Sequence, residues 1–183
     1  MSRAPLIIAG LAVAAIAFMG REQVKSAMVP TDEALNNKNV RAFLEMIKAN
    51  ESHGRYDLLF GGGTFADYST HPNQHVPFLD PRTGKMTYST AAGAYQILYR
   101  TWRALTLLPD APKDFSPAAQ DYFAVQLLKI RGALSLIIAG KFEEAVKKAS
   151  LEWASLPGSP YGQPTKTMAV AIAQFNKAGG SIA

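Results

Sequence analysis

The chain has 183 residues, of which 48% are hydrophobic and 18% charged, so it can bury the core of one domain and is too apolar to be disordered. It contains no cysteine, which excludes a disulfide scaffold, a thiol nucleophile, an iron–sulfur cluster and a cysteine-based zinc site. The net charge of +5 is a modest basic excess, and we expect no nucleic-acid partner from it.

The first twenty residues contain an uncharged apolar stretch, Ala4 to Gly20. Its length is the lower limit for crossing a hydrocarbon core of about 30 Å, and its many alanines and glycines make it weakly hydrophobic. It is predicted to form a helix. Three interpretations compete: a cleaved signal peptide with its small-residue site at Ala15–Ala17, a permanent anchor, or an uncleaved export signal that later leaves the bilayer. All three place the rest of the chain outside the cytoplasm, whereas a buried core helix would not.

A polar segment and an amphipathic helix follow. Residues 21–38 predict a linker or a marginal helix, so that residues 1–20 form a separate N-terminal segment and residues 39–183 form the folded domain. Asn39 is the predicted cap of a helix that ends near Asn50. The apolar residues of this helix follow the i, i+3, i+4, i+7 spacing of a buried face: Val40, Phe43, Leu44 and Ile47.

The middle of the chain predicts a small sheet, and the C-terminal half predicts helices. Two β-prone runs at 56–60 and 64–68 flank three glycines and predict a hairpin, and residues 71–88 predict a long loop. Ser116 and Gly132 bound one later helix. Shorter helices are predicted at Ser135–Ala139, Phe142–Ser155 and Lys166–Lys177. The predicted fold class is α+β, mainly helical, with one small hairpin beside the first helix.

Glu51 is the most informative single position. It lies four residues after Ile47 and continues the apolar face of the first helix, so its carboxyl group is expected to point toward the core. Partial burial and the dipole at a helix C-terminus both raise the pKa of a carboxyl group. A glutamate with a raised pKa suits a general acid that protonates a glycosidic oxygen. From periodicity alone, the alternative is a solvated residue in the last helical turn.

Several stretches after residue 38 match one known family in a single collinear order. They are Arg41–Met46 leading to Glu51, Tyr56-Asp57 with Gly62-Gly63, Phe65–Pro72, Ala92–Leu98, Lys113–Pro117, Arg131–Leu134, Trp153–Gly158, Tyr161–Gln163 and Ala178–Gly180. On these stretches the chain resembles the endolysins of the phage lambda type, which cut the glycan strands of bacterial peptidoglycan. The resemblance implies a lysozyme-like fold and leaves the first 38 residues outside it.

The resemblance also implies that Glu51 is the acid and base of lytic transglycosylation. In this reaction the bond between N-acetylmuramic acid and N-acetylglucosamine breaks, and the sugar's own C6 hydroxyl closes a 1,6-anhydro ring. A hydrolytic muramidase is the alternative, and it needs a second carboxylate about 5–5.5 Å away for retention or about 6.5–9.5 Å away for inversion. Asp57 and Asp67 match acids of the family and are the candidates for that carboxylate or for substrate contact. Phe60 stands where phage T4-type lysozymes have an aspartate.

Five further residues are predicted to bind the glycan or shape its cleft. Ser52 follows the glutamate as in the bacterial lytic transglycosylases, and it either bonds the sugar or caps the helix end. Tyr95 and Gln96 belong to a stretch that resembles the Gly-x-x-Gln motif of those enzymes, and the amide of Gln96 cannot act as acid or base. Tyr161 is predicted to stack on a sugar from a loop of turn residues that also contains Gln163.

Other residues are assigned structural roles. Trp153 is predicted to lie in the core. The three histidines are too scattered to bind a metal and are predicted to lie on the surface: His53, His71 and His75. We therefore expect no metal site and no cofactor.

Together these observations predict an exported, monomeric phage endolysin that acts on peptidoglycan glycan strands. Residues 4–20 are expected to engage the host secretion machinery and the inner membrane, which would hold the enzyme at the periplasmic face before its release into the periplasm. Thiol–disulfide exchange cannot control this release, because the chain has no cysteine. A non-catalytic cell-wall-binding or virion structural protein is the alternative from a different functional class.

Overall fold

The computed structural model describes residues 20–80, 83–162 and 164–183, which contain eight helices and one two-stranded sheet. The elements are α1 (Arg21–Met28), α2 (Thr31–Asn36), α3 (Lys38–Glu51), β1 (Val76–Leu79), β2 (Met86–Ser89), α4 (Tyr99–Leu105), α5 (Pro117–Arg131), α6 (Leu134–Ile138), α7 (Phe142–Ala149) and α8 (Met168–Lys177). A single 3-10 turn at Phe60–Gly62 precedes the sheet. The predicted class, α+β and mainly helical, is confirmed.

Helix α3 lies in the core because one of its faces is apolar throughout. Val40, Phe43 and Ile47 have no exposed surface, and the helix packs against α2, α6 and α8. The ring of Phe43 contacts Phe142 of α7 and Phe175 of α8, with centroid separations of 5.9 and 6.4 Å. This packing fixes the direction of α3 and therefore the position of its last residue, Glu51.

Side-chain caps begin the two longest helices. The side chain of Asn37 accepts the backbone N–H groups of Asn39 and Val40, so the cap of α3 lies two residues before the predicted one. Helix α5 begins as predicted at Ser116 and ends as predicted at Gly132, which has a φ of 69°. Helix α7 ends at Ala149, six residues earlier than predicted, and leaves a loop at residues 150–167 before α8.

The sheet does not lie where the sequence predicts it. Strands β1 and β2 pair antiparallel, with Val76 opposite Ser89 and Leu79 opposite Met86, inside the stretch predicted to be a long loop. Exposure alternates along both strands, as it does in a half-buried hairpin. Pro77 concealed this pattern, because proline inside a run argues against a strand unless the strand lies at an edge.

The predicted hairpin at residues 56–68 is present as a short antiparallel pairing without extended strands: Leu58 bridges to Thr64, the N–H of Leu59 donates to the carbonyl of Gly63 over 2.7 Å, and the N–H of Phe65 donates to that of Asp57 over 3.0 Å. The first run also pairs with a later part of the chain. The N–H of Phe60 donates to the carbonyl of Ala91 over 2.9 Å, and the N–H of Gly93 donates to the carbonyl of Leu58 over 2.8 Å. These two hydrogen bonds hold the first run against residues 91–93, which lead into the candidate site.

The segment predicted to be a linker or a marginal helix forms α1 and α2, and both pack on the domain. Helix α1 contacts α5 and α6, and α2 contacts α3 and α5. Ser26 is fully buried and shares hydrogen bonds with Ser135, while the Gln23 amide donates to the carbonyl of Ile130. The predicted N-terminal helix lies outside the described residues apart from Gly20. Within the part of the chain that the structure describes, no helix is long and apolar enough to span a membrane.

One histidine differs from its predicted surface position. His53 and His75 are exposed, but His71 is only 2% exposed. Its Nδ1 accepts the N–H of Asn73 over 3.0 Å, so Nε2 carries the proton that it donates to the carbonyl of Ile97 over 2.8 Å. Burial lowers the pKa of His71, and the ring is a neutral structural element.

Candidate active site

Glu51 is the last residue of α3, and the chain turns sharply after it. The N–H groups of Ser52 and Gly54 both donate to the carbonyl of Lys48 over 3.0 Å, which closes the end of the helix. Gly54 has a φ of 81°, a conformation that glycine adopts without strain. The Glu51 side chain is half-buried, so it points to the core side of the helix as the periodicity predicts.

One residue of the loop between α7 and α8 contacts the Glu51 carboxyl group. The Ser155 hydroxyl donates to Oε1 over 2.6 Å, and the Ser155 backbone N–H donates to the same oxygen over 3.4 Å. Burial raises the pKa of Glu51, and the two hydrogen bonds from Ser155 partly oppose this because they stabilise the carboxylate. The net pKa lies above that of an ordinary glutamate, as a general acid requires.

The turn at residues 93–96 supports both sides of this contact. Ser52, which follows Glu51 in the chain, donates its hydroxyl to the carbonyl of Ala94 over 2.9 Å. Trp153 lies two residues before Ser155, and its indole N–H donates to the carbonyl of Tyr95 over 3.1 Å. Trp153 is 3% exposed, which confirms its predicted place in the core. The carbonyl groups of Ala94 and Tyr95 thus bind residues close to Glu51 and to Ser155 in the chain.

A buried amide on α5 holds this turn in place. Gln120 has no exposed surface; its Oε1 accepts the N–H of Ala94 over 2.7 Å, and its Nε2 donates to the carbonyls of Tyr56 and Phe115 over 3.1 and 2.8 Å. A Cβ at Gly93 would collide with this amide, so only glycine fits there. Sequence reasoning missed Gln120, although a polar residue on the buried face of a helix is a usable signal.

The two aspartates predicted near the site have their own partners. Asp57 forms two parallel hydrogen bonds with the Arg55 guanidinium, of 2.9 and 2.7 Å, which lower the pKa of Asp57. Asp67 is exposed, and hydrogen bonding to Ser69 lowers its pKa as well. Neither aspartate contributes to the pKa of Glu51. Both lowered pKa values favour the ionised form of these two aspartates.

Two of the predicted glycan contacts are buried. Ser52 has no exposed surface, and its hydrogen bonds are those of the helix-end cap that was the alternative role. Tyr95 is 1% exposed, and its hydroxyl donates to Asp121 over 2.6 Å. Asp121 also accepts the hydroxyl of Tyr56, which is bound by the Lys48 ammonium over 2.8 Å. Lys48, Tyr95 and Asp121 line a cavity of about 260 Å³ whose lining residues do not include Glu51.

The remaining predicted contacts lie at two turns. Gln96 is half-buried, and its side-chain amide donates to the carbonyl of Gly93 over 3.1 Å, which supports the turn. Tyr161 is half-buried, and its hydroxyl donates to the carbonyl of Leu151 over 2.7 Å, so the hydroxyl anchors the loop that follows α7. Gln163 lies outside the described residues.

Residues 41–182 match a family model described as Endolysin. The chain belongs to the endolysin family. It is 41% identical over 158 residues to the endolysin of Escherichia phage lambda, covering 81% of this chain and 95% of that one. It is 36% identical over 160 residues to the endolysin of Escherichia phage P2, covering 79% of this chain and 94% of that one.

Two solved structures of lambda lysozyme have the same fold as this endolysin. The structure of bacteriophage lambda lysozyme complexed with a chitohexasaccharide is similar with a TM-score of 0.71 and 40% identity, covering 85% of this chain and all of that one. A second structure of the lysozyme from bacteriophage lambda is similar with a TM-score of 0.68 and 38% identity over the same shares. The endolysin is thus a lysozyme-like enzyme that acts on peptidoglycan.

The endolysin site has two features that bear on its chemistry. Residues 20–80, 83–162 and 164–183 contain no group of three or more His, Asp or Glu side chains that could hold a metal ion. Ser155, which touches the Glu51 carboxyl, is the contact that sequence reasoning missed, because the two residues are 104 positions apart. It lies within a stretch that matches the family, yet no local spacing pattern links it to Glu51.

Proposed function

We propose that this endolysin is a lytic transglycosylase in which Glu51 alone serves as acid and base on peptidoglycan glycan strands. The observation that carries the proposal is the environment of the Glu51 carboxyl, which combines burial with contacts from a single neutral residue, Ser155. The two aspartates that could serve as a second carboxylate have partners of their own, Asp57 at Arg55 and Asp67 at Ser69. This favours one-carboxyl chemistry over the paired carboxylates of a hydrolase.

The reaction cycle uses one proton and no water. Protonated Glu51 donates its proton to the glycosidic oxygen while the bond from that oxygen to C1 of N-acetylmuramic acid breaks. The Glu51 carboxylate then removes the proton from the C6 hydroxyl while that oxygen bonds to C1 and closes the 1,6-anhydro ring. Glu51 is protonated again at the end, so the enzyme is ready for the next bond.

A bound glycan is expected to lie across the end of α3 and the loop after α7. The complex of lambda lysozyme with a chitohexasaccharide supports an oligosaccharide as the ligand, because that protein is 40% identical to this chain. We assign Asp57, Asp67, Tyr161 and Gln163 to glycan contact. Ser52 and Gln96 act behind them by holding backbone carbonyl groups, and Tyr95 does so by binding the Asp121 side chain.

Replacing the acid tests the proposal directly. Glu51→Gln keeps the shape of the side chain and removes its proton transfer, so release of soluble muropeptides from murein should fall to background. Glu143→Gln is the matched control, because Glu143 is an exposed glutamate on α7 and its replacement should leave the rate unchanged. Wild-type products should end in 1,6-anhydro sugars. Activity retained by Glu51→Gln would remove Glu51 from the acid role. Wild-type products with reducing ends would indicate a muramidase, and no release of muropeptides by the wild type would indicate a non-catalytic binding protein.

We also propose that residues 4–20 carry the enzyme through the host secretion machinery and hold it at the inner membrane until release. The support is the uncharged, alanine-rich composition of this segment. Fractionation of expressing cells before and after membrane depolarisation tests it. Full-length protein should move from the membrane to the periplasm; a shortened protein would indicate a cleaved signal peptide, and cytoplasmic protein would exclude export.

A further inference from the structure

The two hydrogen bonds from Ser155 end on the same oxygen of Glu51. Its hydroxyl approaches Oε1 to 2.6 Å and its backbone N–H to 3.4 Å, and no described residue donates to Oε2. The two carboxyl oxygens are therefore not equivalent. Oε1 faces donors that point their hydrogens at it, whereas Oε2 has no such partner.

An oxygen that accepts an O–H and an N–H is a poor place for the acid proton, because the proton would point at two donor hydrogens. We propose that Ser155 is a positioning residue that keeps Oε1 as an acceptor, so that the acid proton sits on Oε2 and is delivered from there. This inference rests on the proposed catalytic role of Glu51. The proton on Oε2 passes to the glycosidic oxygen as the bond to C1 breaks, and the C6 hydroxyl proton returns to Oε2 as the anhydro ring closes.

The fold holds this arrangement from both sides. On the side of Glu51, Ser52 is bound to the carbonyl of Ala94 over 2.9 Å; on the side of Ser155, Trp153 is bound to the carbonyl of Tyr95 over 3.1 Å. The carbonyl of Ser155 itself accepts the N–H of Lys166 over 2.9 Å, which ties the loop closed. Because the carbonyls of two adjacent residues, Ala94 and Tyr95, bind both segments, the Ser155 hydroxyl is held within hydrogen-bond distance of Oε1.

The same contact tunes the acid for both steps. Burial favours the protonated form needed to cleave the bond, and Ser155 favours the carboxylate needed to remove the C6 proton. Removing the Ser155 hydroxyl therefore raises the pKa of Glu51 further. In the pH profile of kcat/KM, activity falls at high pH because Glu51 of the free enzyme loses its proton. This fall then moves to higher pH.

Three serine variants test the proposal. Ser155→Ala should lower kcat/KM for soluble muropeptide release by about 10- to 100-fold, the range expected for losing a hydrogen bond to a charged group. It should also shift the basic limb of the pH profile upward. Ser155→Thr keeps the hydroxyl and should restore both the rate and the profile. Ser150→Ala is the matched control, because the buried Ser150 hydroxyl bonds only its own helix at Lys147 and should leave the profile unchanged.

A readout that does not depend on turnover separates positioning from folding. In protein labelled with ¹³C at the glutamate carboxyl carbon, the Glu51 signal is identified by its loss in Glu51→Gln, and its titration midpoint should rise in Ser155→Ala. An unshifted midpoint, or a shifted midpoint with an unchanged rate, would overturn the positioning role. If Glu51→Gln is inactive while Ser155→Ala matches the wild type, only this inference fails; if Glu51→Gln is active, the proposed function fails as well.

Discussion

Among single residues, the site depends on Glu51, a carboxyl group whose pKa lies above that of an ordinary glutamate. Burial raises the pKa of Glu51, and the Ser155 hydrogen bonds reduce that rise. The folded protein therefore binds the Glu51 proton more tightly than the unfolded chain does. Ionisation of Glu51 therefore lowers the free energy of unfolding. The protein accepts this loss of stability because the raised pKa serves catalysis.

This linkage predicts how the stability of Glu51→Gln depends on pH. Below the ordinary glutamate pKa of 4.5, both side chains are neutral and the two proteins should differ little. As the pH rises from there through the higher folded pKa, the wild type loses stability while the glutamine variant does not. The Tm of the variant minus that of the wild type should thus be larger at pH 7 than at pH 4 in thermal unfolding. A difference that is constant or shrinks with pH would contradict the raised pKa, and Glu143→Gln provides the baseline.

Residues with local signals were predictable, and residues with tertiary roles were not. The apolar spacing before Glu51 placed its carboxyl on the core side of α3, because helical periodicity alone sets that direction. Ser155 and Gln120 act through contacts between distant segments, which no spacing rule encodes. His71 looked like a surface residue for the same reason, since its ring packs against Tyr99, Trp102 and Phe115 from later parts of the chain.

At the scale of elements, α1 and α2 are the feature that the family match does not describe. The match covers residues 41–182, yet α1 packs on α5 and α6 through buried and hydrogen-bonded side chains. Gly132, which ends α5 with a φ of 69°, lies directly beneath α1. A Cβ there would approach the N and Cγ atoms of Gln23 to 2.9 Å and the carbonyl carbon of Glu22 to 3.2 Å.

This close approach predicts that Gly132→Ala destabilises more than backbone strain alone explains. Gly179→Ala is the matched control, because Gly179 also has a positive φ, of 91°, and no atom lies within 4 Å of an added Cβ. Each variant should lose about 1–2 kcal/mol from the left-handed conformation. Gly132→Ala should lose more in chemical denaturation, because α1 must shift as well. Equal losses would show that the α1 contact contributes nothing.

Elements with strong termini were predicted well, and elements without them were not. Ser116 and Gly132 bounded α5 correctly, since a cap and a left-handed glycine are local signals. Helices α1 and α2 are polar and short, so they are stable only when packed and looked like a linker. The hairpin β1–β2 was missed because Pro77 suggested a loop, whereas the glycines Gly61–Gly63 correctly indicated the antiparallel pairing of Leu58 with Thr64.

At the scale of the whole molecule, the chain combines an apolar N-terminal segment with a basic endolysin domain. Arg3 is the one charged residue among the first twenty, so the remainder carries a net charge of +4, which suits an anionic cell wall. Helix α1 begins directly after Gly20 and is bound to the domain. If the apolar segment enters a membrane, the catalytic domain is therefore held close to that surface without a long flexible spacer.

We propose that Glu51 alone breaks the glycosidic bond and that the sugar's own hydroxyl closes the product. Digestion of purified murein in H₂¹⁸O tests it most directly, with immediate reduction of the products, mass spectrometry and a hydrolytic lysozyme as the control. Transglycosylation should give muropeptides with 1,6-anhydro ends and no ¹⁸O above background, because no water enters the reaction. Products that carry one ¹⁸O at the new sugar terminus, as the hydrolase control must, would contradict it.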